Sequence, residues 1–118
     1  MKINYITYMV RDIDKTVSFY EEFCELRVLR RLSLSMGNIV FMGDEEAGTA
    51  LEFIQFSNAE KVSVNGLTVS FQVPDSLEKL RERLVAAGYQ PSPIINQPPK
   101  PAHITVLDPD GVPVEFGL

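Results

Sequence analysis

The sequence predicts an α+β protein built from two βαβββ modules. Short runs in which apolar and polar residues alternate, as they do in half-buried strands, are interrupted twice by a run with helical spacing. The second half of the chain also repeats the pattern of the first at a constant offset of 63 residues. We therefore expect two modules laid edge to edge, forming an eight-stranded, cup-shaped mixed sheet with the helices on its outer face.

The first module is predicted over residues 1–56. Its opening strand, residues 3–10, alternates strictly, and Asp12 is suited to cap a helix that runs to Cys24. The apolar positions of this helix recur at helical spacing, which predicts one buried stripe. Three further strands are predicted over residues 26–34, 39–42 and 49–56.

The second module is predicted over residues 66–118, after a polar linker over residues 57–65. Asp75 or Ser76 is predicted to cap its helix, and Gly88 to follow the helix end. Its four strands are predicted over residues 67–73, 89–95, 102–107 and 112–118. The second of these contains two prolines, which lack an N–H donor, so it is expected at a sheet edge.

Length and composition exclude several classes of protein. A chain of 118 residues is expected to form a single domain, here one domain over residues 1–118. The net charge of −5 argues against nucleic acid or an anionic membrane as a partner. Cys24 is the only cysteine and cannot form an internal disulfide, so a cytoplasmic location is predicted. One cysteine and one histidine also exclude a zinc site made only of these residue types.

The repeat relates two glutamates. Adding 63 to Glu52 gives Glu115, and both stand between apolar residues in the last strand of their module. The face that carries them is markedly polar, whereas the opposite face of each strand is almost wholly apolar. Polar groups that converge on a concave surface are typical of ligand recognition. The residues predicted to line this surface are Tyr5, Thr7, Met9, Glu52, Thr68, Ser70, Gln72, His103, Thr105 and Glu115.

Several motifs resemble the vicinal oxygen chelate superfamily, which includes glyoxalase I, extradiol dioxygenases and bleomycin-resistance proteins. The motifs are Val10-Arg-Asp12 with Thr16-Val-Ser-Phe-Tyr20, then Leu51-Glu-Phe53, and Asp108-Pro-Asp-Gly111 with Val114-Glu-Phe116. The resemblance covers the whole chain and implies a homodimer. One detail departs from the family, which usually has Leu-Gly after the first helix. Here the residues are Cys24-Glu25, so we expect Glu25 to adopt a left-handed conformation without the freedom of glycine.

The resemblance also implies a divalent metal, held by the first and last strands of each half. The corresponding positions are Tyr5, Glu52, Thr68 and Glu115. Metal-dependent members usually have histidine or another strong ligand at the first and third of these positions. A phenol and an alcohol are poor ligands at neutral pH. The cofactor is therefore either absent or a divalent metal, and Glu52 and Glu115 are the expected ligands if a metal is bound.

Two interpretations of the glutamates and of the histidine stay open at this point. Glu52 and Glu115 either share a proton or a cation, as a general acid or base would, or are satisfied by the hydroxyls of Tyr5 and Thr68. His103 is either a general base that titrates near neutrality or a strand histidine at the rim. The candidate catalytic residues are Glu115 and His103.

Two functions are consistent with this pattern. The first is a small-molecule-binding protein that works without a catalytic metal, similar to bleomycin-resistance proteins. The alternative is a metal-dependent lyase, isomerase or dioxygenase with a reduced, glutamate-based metal site. The loss of both strong ligand positions favours the first, and the sequence leaves open whether the protein is an enzyme.

Overall fold

A computed structural model describes all 118 residues, which form two compact units, Met1–Val62 and Ser63–Leu118. Each unit contains one helix and one sheet. The elements of the first unit are β1 (Tyr5–Met9), α1 (Ile13–Glu22), β2 (Arg27–Leu34), β3 (Gly37–Gly43) and β4 (Ala50–Phe56). Those of the second unit are β5 (Val69–Gln72), α2 (Leu77–Ala86), β6 (His103–Leu107) and β7 (Pro113–Gly117).

The first unit is a four-stranded sheet with the order β1-β4-β3-β2. Strand β1 runs parallel to β4, and the other neighbours are antiparallel. The predicted cap of α1 is confirmed, because the Asp12 carboxylate accepts hydrogen bonds from the backbone N–H groups of Asp14 and Lys15 at 3.1 and 3.2 Å. These bonds satisfy donors that have no partner within the helix.

Helix α1 packs against one face of this sheet. The ring of Tyr20 on the helix lies 4.9 Å from that of Phe53 on β4, and both side chains are fully buried. Val40 and Met42 on β3 complete the same apolar face. Burying an aromatic side chain of this size contributes about 2–3 kcal/mol. Because successive strand residues point to opposite faces, Glu52 lies on the face that the helix does not cover.

The second unit is a three-stranded sheet with the order β5-β7-β6. Its helix begins after Ser76, whose hydroxyl accepts from the Lys79 backbone N–H at 3.2 Å, so Ser76 is the cap. The helix-facing side chains of the sheet include Ile104, Val114 and Phe116, each at most 1% exposed. Both units therefore place their core between one helix and one sheet face.

The 63-residue repeat is present in the strand pairing itself. In the first unit Thr7 lies opposite Glu52, and in the second Ser70 lies opposite Glu115. The backbone bond that follows β1, from Val10 N–H to the carbonyl of Ile54, measures 2.8 Å. The equivalent bond 63 residues later, from Val73 N–H to the carbonyl of Gly117, measures 2.7 Å. The α+β class and the modular repeat are thus confirmed.

The number of strands differs from the prediction, since the structure has seven strands in two sheets instead of eight in one. The segment over residues 89–95 makes only an isolated bridge, between Ile95 and His103, beside a bond from Ser92 N–H to Thr105. Pro91 and Pro93 remove the donors that a regular ladder would need. The segment lies beside β6 as predicted for an edge, but it does not form a strand.

The prediction for Glu25 is confirmed, because its φ is +56°, in the left-handed region that glycine usually occupies. Gly88, predicted to follow the second helix, has a φ of +92°. Neither helix has the length and apolar character required to cross a lipid bilayer.

Candidate functional site

Each unit presents one carboxylate from the central strand of its sheet. Glu52 lies on β4, between β1 and β3, and Glu115 lies on β7, between β5 and β6. A central strand is paired along both edges, so the backbone that carries each carboxylate is held on both sides. Glu52 is half-buried, whereas Glu115 is only 8% exposed.

Each carboxylate accepts a hydrogen bond from a hydroxyl on the neighbouring parallel strand. Thr7 Oγ1 donates to Glu52 Oε1 at 2.5 Å, and Ser70 Oγ donates to Glu115 Oε1 at 3.1 Å. One of the two sequence interpretations assigned these bonds to Tyr5 and Thr68, two residues earlier in the chain than Thr7 and Ser70. The assignment is wrong because the register places positions 7 and 70, not 5 and 68, opposite the glutamates.

Glu115 has a second partner, which the sequence interpretation missed. The Lys100 ammonium donates to Glu115 Oε2 and forms an ion pair with it. This hydrogen bond is the main reason why the pKa of Glu115 lies below its ordinary value. Burial acts in the opposite direction, and Ser70 and His103 add smaller contributions that lower the pKa further. Glu115 is therefore ionised at neutral pH, with both carboxylate oxygens occupied.

His103 lies on the same face of β6 as Thr105, the residue opposite Glu115. The side chain is only 8% exposed, and its Nδ1 lies 2.9 Å from the carbonyl oxygen of Pro101. Because a carbonyl oxygen only accepts, Nδ1 carries a proton in this contact. Nε2 is thus the ring nitrogen that remains for a ligand or for proton transfer.

These groups line a cleft of about 400 Å³, which we call the second-unit cleft. Its walls combine a cation, a carboxylate, an imidazole, an amide and a hydroxyl with apolar surface. The lining residues are Ser70, Phe71, Gln72, Lys100, Pro101, His103, Glu115, Gly117 and Leu118. Four predicted site residues of this unit, Ser70, Gln72, His103 and Glu115, are therefore brought together.

Thr68 and Thr105 stand apart from this group. Thr68 precedes β5, is exposed and does not line the cleft. Thr105 lies opposite Glu115 but does not line the cleft either. Its backbone N–H donates to the Ser92 hydroxyl at 3.0 Å. The polar surface of the second unit is consequently centred on Glu115 and His103.

The first unit presents a different surface around Glu52. Phe41 on β3 lies opposite Glu52, and Arg30 on β2 lies opposite Phe41. The ring of Tyr5, half-exposed, meets that of Phe41 edge-on at 5.4 Å. Met9, another predicted site residue, is on the same face, opposite Ile54.

Arg30, Tyr5 and Phe41 contribute to a first-unit cleft of about 390 Å³. Sequence periodicity alone could have indicated that Arg30 and Arg31 point to opposite faces, because they are consecutive in a strand. A bulge between Val28 and Arg30 then places both Arg27 and Arg30 on the Glu52 face. The first-unit cleft thus combines Lys2, Arg30 and Glu46 with two aromatic rings, whereas the second-unit cleft holds the ion pair between Lys100 and Glu115.

The residues at the metal-ligand positions do not fit a divalent metal. No group of three or more His, Cys, Asp or Glu side chains is placed to hold one. The first unit offers one carboxylate and hydroxyls, and the second adds only the imidazole of His103; hydroxyls bind such ions weakly at neutral pH. At Glu115 the Lys100 ammonium already holds Oε2, so a dication would have to displace a cation. The donor chemistry therefore gives no support to a tight metal site.

Together these features define a class of small α+β proteins in which two related modules, each with one helix packed on one sheet, present polar groups from the open face of the sheet. The chain belongs to the Glyoxalase/Bleomycin resistance protein/Dioxygenase superfamily, whose family model matches residues 2–116. No curated protein matches the sequence significantly.

Several solved structures share the fold. The trypanothione-dependent glyoxalase I of Leishmania major has a TM-score of 0.81 at 20% identity, covering 99% of this chain and 86% of that chain. TnmS3, an antibiotic binding protein from Streptomyces sp. CB03234, has a TM-score of 0.75 at 21% identity, with 99% and 94% covered. A glyoxylase/bleomycin resistance protein/dioxygenase domain from Frankia sp. EAN1pec has a TM-score of 0.77 at 22% identity, with 100% and 97% covered.

Proposed function

We propose that this protein binds a polar small molecule in the second-unit cleft and does so without a catalytic metal. The observation that carries the proposal is the state of Glu115, a buried carboxylate whose two oxygens are held by Ser70 and Lys100. A carboxylate in this state is a poor metal ligand, but its position in a binding site is fixed by its two hydrogen bonds.

The cleft has the dimensions and chemistry of a small-molecule site. Its volume of about 400 Å³ lies within the range of roughly 300–1,000 Å³ typical of such sites. Gln72 and the Nε2 atom of His103 supply both donors and acceptors beside apolar surface from Phe71 and Leu118. TnmS3 supports the proposal by analogy, since an antibiotic binding protein is built on the same fold.

The competing function is a metal-dependent lyase, isomerase or dioxygenase with a reduced, glutamate-based metal site. His103 and Glu115 would then be the groups that move protons, since they face the same cleft. This function requires the Lys100 ammonium to leave Glu115 when the metal binds. The two functions therefore differ in one observable, the dependence of ligand binding on a divalent metal.

The test uses ¹⁵N-labelled protein in EDTA, titrated with bleomycin and, separately, with S-methylglutathione. The proposal expects at least one of them to shift the amide signals of Ser70, Gln72 and His103 in the absence of metal. Gln72→Leu should weaken that binding about tenfold, because it removes hydrogen bonds at the cleft wall. Gln90→Leu is the matched control, since Gln90 is exposed and outside the cleft.

Binding that appears only after Mn²⁺, Ni²⁺ or Zn²⁺ is added, together with turnover of the methylglyoxal–glutathione hemithioacetal, would contradict the proposal and support the enzyme. A rise in the melting temperature with any of these metals alone, lost in Glu115→Gln, would do the same.

We further propose that the protein is a homodimer, as the family resemblance implies. Light scattering of the purified chain measures this directly, and a mass equal to the 13.3 kDa of one chain at micromolar concentration would contradict it.

A further inference from the structure

The segment that carries Lys100 differs between the two units. Under the 63-residue offset, Lys100 corresponds to Gly37, and the Pro-rich segment 96–101 corresponds to residues 33–38. In the first unit those residues form the tight hairpin between β2 and β3, in which Ser33 lies opposite Asn38. In the second unit no hairpin forms there, and the segment instead brings an ammonium group to Glu115.

The contact between Lys100 and Glu115 requires the segment to fold back over the sheet. Thr105, which lies opposite Glu115, is five residues after Lys100 in the chain. An extended strand of five residues would hold them about 16 Å apart, farther than a lysine side chain reaches. The Pro101 carbonyl bound by His103 and the Ala102 carbonyl bound by Leu118 N–H, at 2.9 and 3.2 Å, fasten the end of the segment.

We propose that Lys100 is the resident cation of the second-unit cleft, occupying the oxygen of Glu115 that a divalent metal would otherwise bind. The inference deepens the proposed function. It rests on that function in one respect, which is that the cleft works without a metal. It assigns a positive role to a residue outside the ligand positions that the family resemblance implies.

The contacts of Glu115 support this role over that of an ordinary surface ion pair. Its side chain is only 11% exposed, so a buried charge without a partner would be unfavourable. Ser70 holds Oε1 and Lys100 holds Oε2, which leaves neither oxygen free of a donor. Lys100 itself is 54% exposed, and its removal therefore leaves the apolar core intact.

The experiment measures the affinity for Mn²⁺ alone, by water-proton relaxation, in the parent, in four single variants and in one double variant at pH 7. Lys100→Met removes the charge while keeping most of the side-chain length, and Lys100→Arg keeps the charge. Lys79→Met is the matched control, because it removes a lysine charge from an exposed position on α2. Lys100→Gln repeats the first variant in case the methionine disturbs the fold, which the amide spectrum reports.

We expect Lys100→Met to bind Mn²⁺ about tenfold more tightly than the parent, because a unit charge in contact with the carboxylate is removed. Adding Glu115→Gln to Lys100→Met should abolish the gain. Lys79→Met and Lys100→Arg should remain within about twofold of the parent. A gain no larger than that of Lys79→Met, or a gain that survives Glu115→Gln, would overturn the inference.

These outcomes are separable from a failure of the proposed function. A metal that binds the parent through other residues, and that ligand binding requires, contradicts the proposed function. In that case the expected gain in Mn²⁺ affinity of Lys100→Met, which depends on Glu115, would still be observed. Conversely, a Lys100→Met variant without any gain overturns the resident cation, while metal-free ligand binding in the cleft would still stand.

Discussion

The two units share their strand registers but differ in how they surround the repeated glutamate. Position 7 lies opposite Glu52 and position 70 opposite Glu115, and each supplies a hydroxyl to the carboxylate. Beyond this pair the units diverge, since Glu115 is buried and paired with Lys100, whereas Glu52 is half-buried with an aromatic neighbour, Phe41. The comparison teaches that both units share the carboxylate on its central strand and its hydroxyl donor, whereas the other groups around the carboxylate differ.

The difference between the units is clearest at one pair of equivalent positions, Gly37 and Lys100. Gly37 has a φ of +144° in the hairpin, where a Cβ atom would lie 1.9 Å from the Gln55 carbonyl oxygen. No residue but glycine fits that approach. Position 100 has lost this restriction because the hairpin is absent, and a long cationic side chain is accommodated.

The largest effect is expected from substituting Gly37, with Gly88 as the comparison. Gly37→Ala should lower the free energy of unfolding by about 3 kcal/mol, because the backbone clash adds to the unfavourable φ. Gly88→Ala, at a φ of +92° with open space around it, should cost only about 1 kcal/mol. Urea unfolding measures both, and equal losses would show that the clash at Gly37 is relieved by the hairpin.

A smaller effect is expected from the Glu115 ion pair, with a defined pH dependence. Glu115→Gln should cost about 1.5 kcal/mol at pH 7, an intermediate value because Lys100 is half-exposed. The pKa of Glu115 is lowered in the folded state by the Lys100 hydrogen bond. The stabilisation is therefore fully present above the unfolded-state pKa and is lost as pH falls through the folded-state pKa.

The stability difference between parent and Glu115→Gln should accordingly shrink as the pH is lowered from 7 to 3. Thermal unfolding at each pH measures this difference. Glu82→Gln, at an exposed position of α2, controls for the change in net charge. A difference that grows at low pH would mean that burial, and not Lys100, dominates the pKa of Glu115.

The smallest effects are expected from the two hydroxyls. Ser70→Ala should cost about 1 kcal/mol and Thr7→Val about 0.5 kcal/mol in the free energy of unfolding. The difference follows from burial, because water can replace the lost donor more easily at half-buried Glu52 than at Glu115. Chemical denaturation resolves the two values when the variants are measured side by side, and the reverse order would contradict this account.

The sequence predicted those features that depend on local pattern. Alternation and the constant offset identified the repeated modules, Asp12 was recognised as a helix cap, and the left-handed Glu25 followed from a missing glycine. Each of these depends on neighbouring residues or on a comparison of the chain with itself. The equivalence of Glu52 and Glu115 is of the same kind.

The sequence did not predict features that depend on register or on loop conformation. Alternation shows which residues share a face, but it does not show that Thr7 rather than Tyr5 lies opposite Glu52. Lys100 was missed for a different reason, because a Pro-rich segment carries no periodicity from which its path can be inferred. The only available signal was a lysine among prolines close before the strand of His103.

Because β4 and β7 are central strands, the glutamates they carry are held differently from the charged residues around them. The glutamates stand on strands that are paired on both sides, whereas Arg30 and Lys100 belong to an edge strand and a loop. Substitutions at edges and in loops disturb fewer backbone hydrogen bonds than substitutions in a central strand. The groups that surround each glutamate can therefore be exchanged while the backbone hydrogen bonds that hold the glutamate in place are retained.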